Sequence, residues 1–97
     1  MQIWRLDLTA LGLKNIKATK TPGPIWVRAQ SEFNARQLAD TTFGQIAFEE
    51  AFGSYKISIK MPWQDSMCAT CTNDPKYNAS SEVDEEVLHP STDSINN

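Results

Sequence analysis

Residues 25–44, IWVRAQSEFNARQLADTTFG, pass from a period of two to a period of 3.6 at a single serine. Ile25, Val27 and Ala29 alternate with Trp26, Arg28 and Gln30, which is the pattern of a strand with one buried face. Ser31 stands where its hydroxyl accepts from a free N–H of a first helical turn, and Glu32 sets negative charge against the positive end of the helix dipole. Asn34 occupies the third position after the serine, so no reciprocal capping box forms. Ala35, Leu38, Ala39 and Thr42 then fall on one side of a helix about three turns long, with Phe43 at its margin. Gly44 follows as a residue able to take the left-handed turn that ends helices. The two alanines allow the helix to approach a sheet closely, while Glu32, Arg36 and Asp40 are expected on the solvent side. Phe33 lies almost opposite Leu38, where it either folds back over the first turn or marks a contact surface.

Upstream, residues 3–10 read as a first strand, with Trp4, Leu6, Leu8 and Ala10 on one face and Ile3, Arg5, Asp7 and Thr9 on the other. The connection from Leu11 to Pro24 carries Lys14, Lys17 and Lys20 and closes on Thr21-Pro22-Gly23-Pro24, whose prolines continue neither strand nor helix. Downstream, Ile46 and Phe48 suggest a short third strand. Tyr55, Ile57, Ile59 and Met61 alternate with Lys56, Ser58 and Lys60 in a fourth, which Pro62 ends. The expected order is ββαββ. The expected fold is a single small α+β domain over residues 1–62, with one helix packed on a mainly antiparallel four-stranded sheet.

The 97 residues suit one domain, and the charge along them is uneven. Residues 1–61 hold eight Lys and Arg against five Asp and Glu, a net +3; residues 62–97 hold one lysine against seven carboxylates, a net −6. Residues 63–97 are rich in Ser, Thr, Asn and Asp and poor in large aliphatics, so they are expected as an acidic, largely disordered C-terminal tail. Within it SSEVDEEVLHP is expected to form a helical turn or two on a partner, with Val83 and Val87 on one side and Ser80 or Ser81 as cap. The first twelve residues interrupt their apolar run with Arg5 and Asp7, unlike a signal peptide, and no later apolar stretch has the length of a bilayer span. A cytoplasmic protein without a membrane partner is the expectation.

The open face of such a sheet would carry Arg5, Trp26, Arg28, Lys56 and Lys60 together with Ile3, Asp7, Thr9, Gln30 and Ser58. An aromatic among cations can hold single-stranded nucleic acid by stacking and phosphate neutralisation, and Lys14, Lys17 and Lys20 could extend that surface. The same residues also suit a protein contact, and lysine and arginine stems cover open sheet faces in any case. Cys68 and Cys71 have the CxxC spacing of a redox or metal-binding dithiol. No helical pattern follows them to lower a thiol pKa, and His89 is the only further soft ligand, so a zinc site within one chain would need a carboxylate and an unusual spacing, the alternative being a site shared between two chains. The chain has no Ser-His-Asp set, no glycine-rich phosphate loop and no inward carboxylate pair, which makes a non-enzymatic protein without a cofactor the expectation.

The layout over Val27 to Gly44, a short strand running into a serine cap, a helix of the form xxxARxxA and a glycine, resembles that of many small proteins of phages and other mobile elements, some anti-CRISPR proteins among them. That resemblance implies stoichiometric action on a host complex and transfers no binding residue. The expected partner is therefore a protein or nucleoprotein complex, bound through Arg5, Trp26, Arg28, Lys56 and Lys60, with Phe33 and the loop lysines secondary. Binding of single-stranded nucleic acid, and a redox or zinc role for Cys68 and Cys71, are the alternatives, and a homodimer is left open.

Overall fold

The structure is a computed structural model that describes residues 1–45, 47–51, 54–58, 61–74 and 84–90, with 47–51 and 54–58 described by their backbone. Strand β1 spans Gln2–Leu8, α1 is a single turn at Ala10–Leu13, and a 3-10 turn follows at Ile16–Ala18. Then come β2 (Ile25–Ala29), α2 (Glu32–Phe43), the hairpin strands β3 (Ala47–Ala51) and β4 (Ser54–Ser58), β5 (Ala69–Asn73) and β6 (Glu86–His89). The main sheet is antiparallel in the order β5-β1-β2-β6, and α2 lies on one of its faces.

The strand-to-helix unit forms as its spacing predicts. Ile25, Val27 and Ala29 are fully buried against Ala35, Ala39 and Phe43, and Leu6 completes this layer from β1. Ser31 is extended at φ −149° and ψ 162°, and its hydroxyl accepts from the Asn34 N–H at 3.1 Å, a cap worth about 1 kcal/mol. The exit from the helix differs from expectation: Gly44 has φ −66° and ψ 148°, so the chain leaves α2 extended rather than through a left-handed turn. Glycine is required there because a Cβ would fall on the Asp40 carbonyl.

The main departure from expectation is in which strands make the sheet. β3 and β4 pair with each other as a separate two-stranded sheet, so the expected ββαββ sheet gives way to one whose outer strands come from 69–73 and 86–89. β5 takes the outer edge of β1, matching Trp4 to Asn73 through Leu8 to Ala69. β6 takes the outer edge of β2, where SSEVDEEVLHP was expected to turn helically. The physical reason is that both central strands need partners for their outward N–H and C=O groups. The acidic strand satisfies one set while Val87 rests against the core. The expected division at residue 62 falls where the chain turns back inward, since Pro62 and Trp63 are both buried.

Trp63 is 0% exposed and joins the β1–β2 connection to α2. Its indole N–H donates to Thr19 Oγ1 at 2.9 Å, and the same hydroxyl donates to the Thr21 carbonyl and accepts from the Thr21 N–H. Asp40, expected in solvent, is 8% exposed: its carboxylate accepts from the Trp63 N–H at 3.3 Å and the Gln64 N–H at 2.8 Å. Burial raises the Asp40 pKa above its ordinary value, and those donors oppose the shift. Arg36 pairs with Glu32 at 3.4 Å but also donates to the Trp63 carbonyl at 3.2 Å and the Ala69 carbonyl at 2.9 Å. Gly23, at φ +81°, passes so close that a Cβ would stand 2.8 Å from the far edge of the Trp63 ring.

Trp63→Ala is expected to cost about 3–5 kcal/mol, a large part of the roughly 5–15 kcal/mol typical of a whole domain. Urea titration checks it, and a loss below about 1 kcal/mol would contradict the enclosed position. Asp40→Ala should cost about 2–4 kcal/mol, because two backbone N–H groups lose a charged acceptor in a buried site. The same titration reads that loss.

Candidate partner-binding face

The face of the main sheet turned away from α2 carries one row across all four strands. Thr72 of β5 opposes Arg5 of β1, Arg5 opposes Trp26 of β2, and Trp26 opposes His89 of β6. The alternation that buries Leu6, Ile25 and Val27 obliges Arg5 and Trp26 to point the other way. The guanidinium carbon of Arg5 lies 5.1 Å from the Trp26 ring centroid, within cation–π range. His89 meets the same ring edge-on, with centroids 5.5 Å apart and planes at 64°. The indole N–H donates to Asp74 Oδ2 at 3.1 Å.

Carboxylates hold this row in place. Asp7 takes Arg5 in a fork, 3.0 Å from Nε to Oδ2 and 3.2 Å from Nη2 to Oδ1. Its hydrogen bonds and charge, with a smaller contribution from Asp74, raise the Arg5 pKa further, so this cation never titrates. The Arg5 side chain remains 44% exposed, accessible above the ring plane. One step along, Ile3 and Arg28 are opposite each other and both are buried, so the face is closed at that end. Arg28 is 2% exposed and pairs with Glu86 at 2.8 Å.

The expected residues therefore divide. Arg5 and Trp26 come together, whereas Arg28 lies on the same face but is engaged inside the protein. Lys56 belongs to β4, in the other sheet, and its side chain and all of Lys60 lie outside the described residues. Lys14, Lys17 and Lys20 are exposed on the connection between β1 and β2, at the end of the sheet rather than on its face. Phe33 does not fold back: it is 68% exposed on α2, beside an open groove lined by Asn34, Gln37, Leu38, Thr41 and Glu85. Sequence reasoning missed the contributions of Thr72, Asp74 and His89, which lie in the segment it assigned to a tail. It also missed that Leu11, Leu13 and Ile16 are exposed among the loop lysines, although their crowding in LGLKNIK was visible.

The two cysteines are free thiols. Cys68 is buried, donating to Asp65 Oδ2 at 3.6 Å and accepting from Asn15 Nδ2 at 3.7 Å. Cys71 packs on the core side of β5, and burial pushes its thiol up to about 11, against a smaller opposing pull from Arg36. Among the described residues no three His, Cys, Asp or Glu side chains gather as metal ligands, and no helix is long and apolar enough to cross a membrane. Compared with protein-family models, with curated proteins and with solved structures, the chain matches none.

Cys71, with a pKa about two units above the ordinary thiol, should hold about a hundredfold less thiolate near neutral pH. Its alkylation by iodoacetamide is expected to be correspondingly slow at pH 7.5 and to climb steeply towards pH 11. Rapid labelling of Cys71 at neutral pH in the folded chain would contradict its burial.

Proposed function

We propose that this chain is a small, non-enzymatic binding protein that acts stoichiometrically on a protein or nucleoprotein partner through the row Thr72, Arg5, Trp26 and His89. A phage or mobile-element inhibitor or accessory factor, of the anti-CRISPR-like kind, is its most concrete form. The observation that carries the proposal is the Arg5–Trp26–His89 stack, a cation and two rings held together on the sheet face turned away from α2. Arginine and tryptophan dominate the energetics of protein interfaces, and pre-stacking lowers the entropy lost when they are engaged.

The carboxylates beside the row favour a protein over a bare phosphate backbone. Asp7 and Asp74 flank the stack, and Glu86 neutralises Arg28, so a polyanion laid along this face would meet negative charge at each cation. A protein surface with its own mixed charges meets no such penalty, and Thr70 and Thr72 are exposed beside the row.

Affinity capture from the native cell, followed by the stoichiometry of the purified complex, tests the proposal. A one-to-one or other fixed ratio that Arg5→Glu weakens by at least about tenfold, with little change in the thermal midpoint, is the expected result. Trp26→Ala should weaken the same complex further. Capture that both variants retain, or a captured species that is nucleic acid with no protein, would rule out the row as a protein-binding site.

A further inference from the structure

β6 is held differently from the other strands of its sheet. Of its four residues only Val87 packs against the core, and it is half-buried, while Glu86 and His89 are exposed. His89 meets the Trp26 ring edge-on, and the other side-chain attachments are polar. Arg28 donates from Nε to the Asp84 carbonyl at 2.7 Å and from Nη2 to Glu86 Oε2 at 2.8 Å. Glu85 Oε2 accepts from the Gln30 backbone N–H at 3.0 Å and from Asn34 Nδ2 at 3.1 Å, so its carboxylate sits against the positive end of α2. β2 and the start of α2 thus recognise, in order, a main-chain carbonyl, two successive carboxylates and an aliphatic side chain.

The fit is imperfect on the strand side. β6 pairs with Trp26, Val27 and Arg28 of the five residues of β2, and the register shifts between Trp26 and Val27. A longer strand without that irregularity would gain ladder hydrogen bonds and keep the charged contacts. A β6 exchanged from a second copy would reproduce the same irregularity and gain nothing.

We infer that the outer edge of β2 is a reception site for an extended acidic strand of a partner protein, with the pattern carboxylate, carboxylate, aliphatic, and that β6 is its intramolecular occupant. Strand addition of this kind takes affinity from main-chain hydrogen bonds and specificity from the side chains. Arg28 supplies the specificity here: with the strand in place it is 2% exposed and gives its guanidinium to the strand's carbonyl and carboxylate. The site is distinct from the Arg5–Trp26 stack: exchange removes His89 from that row but leaves Arg5, Asp7 and Trp26 on β1 and β2.

The probe is a fluorescein-labelled peptide with the sequence of residues 84–90, titrated by anisotropy into the full chain and into the full chain carrying Val87→Asp, which weakens the resident strand and leaves the receiving groups intact. The variant is expected to bind at least about tenfold tighter than the native chain, because the tethered competitor is weakened. Replacing either glutamate of the peptide by glutamine should weaken binding about tenfold, and added salt should weaken it too. Amide hydrogen exchange on the native chain gives a second readout that needs no variant. The amides of β6 should exchange well before those of β1 and β2. Absence of peptide binding to a folded Val87→Asp chain, indifference to the peptide's carboxylates, or β6 amides protected as strongly as those of β1 would each overturn the inference. Concentration-dependent dimerisation in place of peptide binding would assign the edge to a second copy and overturn it likewise.

Discussion

An indole with no access to water, tied at its ring nitrogen to Thr19 and at its backbone to Asp40, makes one body of segments that share no continuous strand or helix. Burying that ring is favourable by several kcal/mol, but only if its N–H and the neighbouring amides find acceptors. Thr19 and Asp40 are those acceptors, and Arg36 answers the carbonyls of Trp63 and Ala69. With Trp63 docked, the turn that follows closes on the Asp65 carbonyl, which accepts from Cys68 and Ala69 at 2.9 Å each. The chain then enters β5 already aligned with β1. The outer half of the sheet thus depends on a contact between a helix and a loop that precede it.

Much of this was legible before any coordinates. The alternation through Val27, the serine cap and the alanine-lined helix are local patterns, and each appears where its period places it. The rest was hidden for reasons of the same kind. β5 reads ATCTN and β6 reads EVLH; each sets one or two side chains against the core, so neither shows the alternation that marks a strand with a fully buried face. Asp40 and Arg36 look like solvent residues because their partners are backbone groups some 23 to 33 positions away. Of the row across the open face, Arg5 and Trp26 were legible from parity along their strands. Thr72 and His89 were not, since their place depends on which strand pairs with which.

Charge in this molecule is organised by pairing rather than by segregation. The acidic end of the sequence is not simply a reservoir of free negative charge, because Asp74, Glu85 and Glu86 are drawn onto β2 and α2 as hydrogen-bond acceptors. In return Arg28 is buried at the cost of its hydration, a position tenable only with a carboxylate and a carbonyl in contact. Arg5 sits in an intermediate state, forked by Asp7 yet open to solvent above the ring. That gradient runs from a sealed cation at Arg28 to an accessible one at Arg5, so the open part of the face lies at the Arg5 end.

The strand order has a bearing on how the molecule comes into being. β1 and β2 are the first strands made, yet they lie in the middle, and their outer edges are met only by residues 69–73 and 86–89. During vectorial synthesis the nascent hairpin must wait with its β1 flank unpaired until residues 69–73 emerge, and with its β2 flank unpaired until residue 89 has left the ribosome. Contacts so distant along the chain slow folding, and bare strand flanks invite pairing with neighbouring polypeptides. A chaperone that shields extended backbone would have its natural client in that interval.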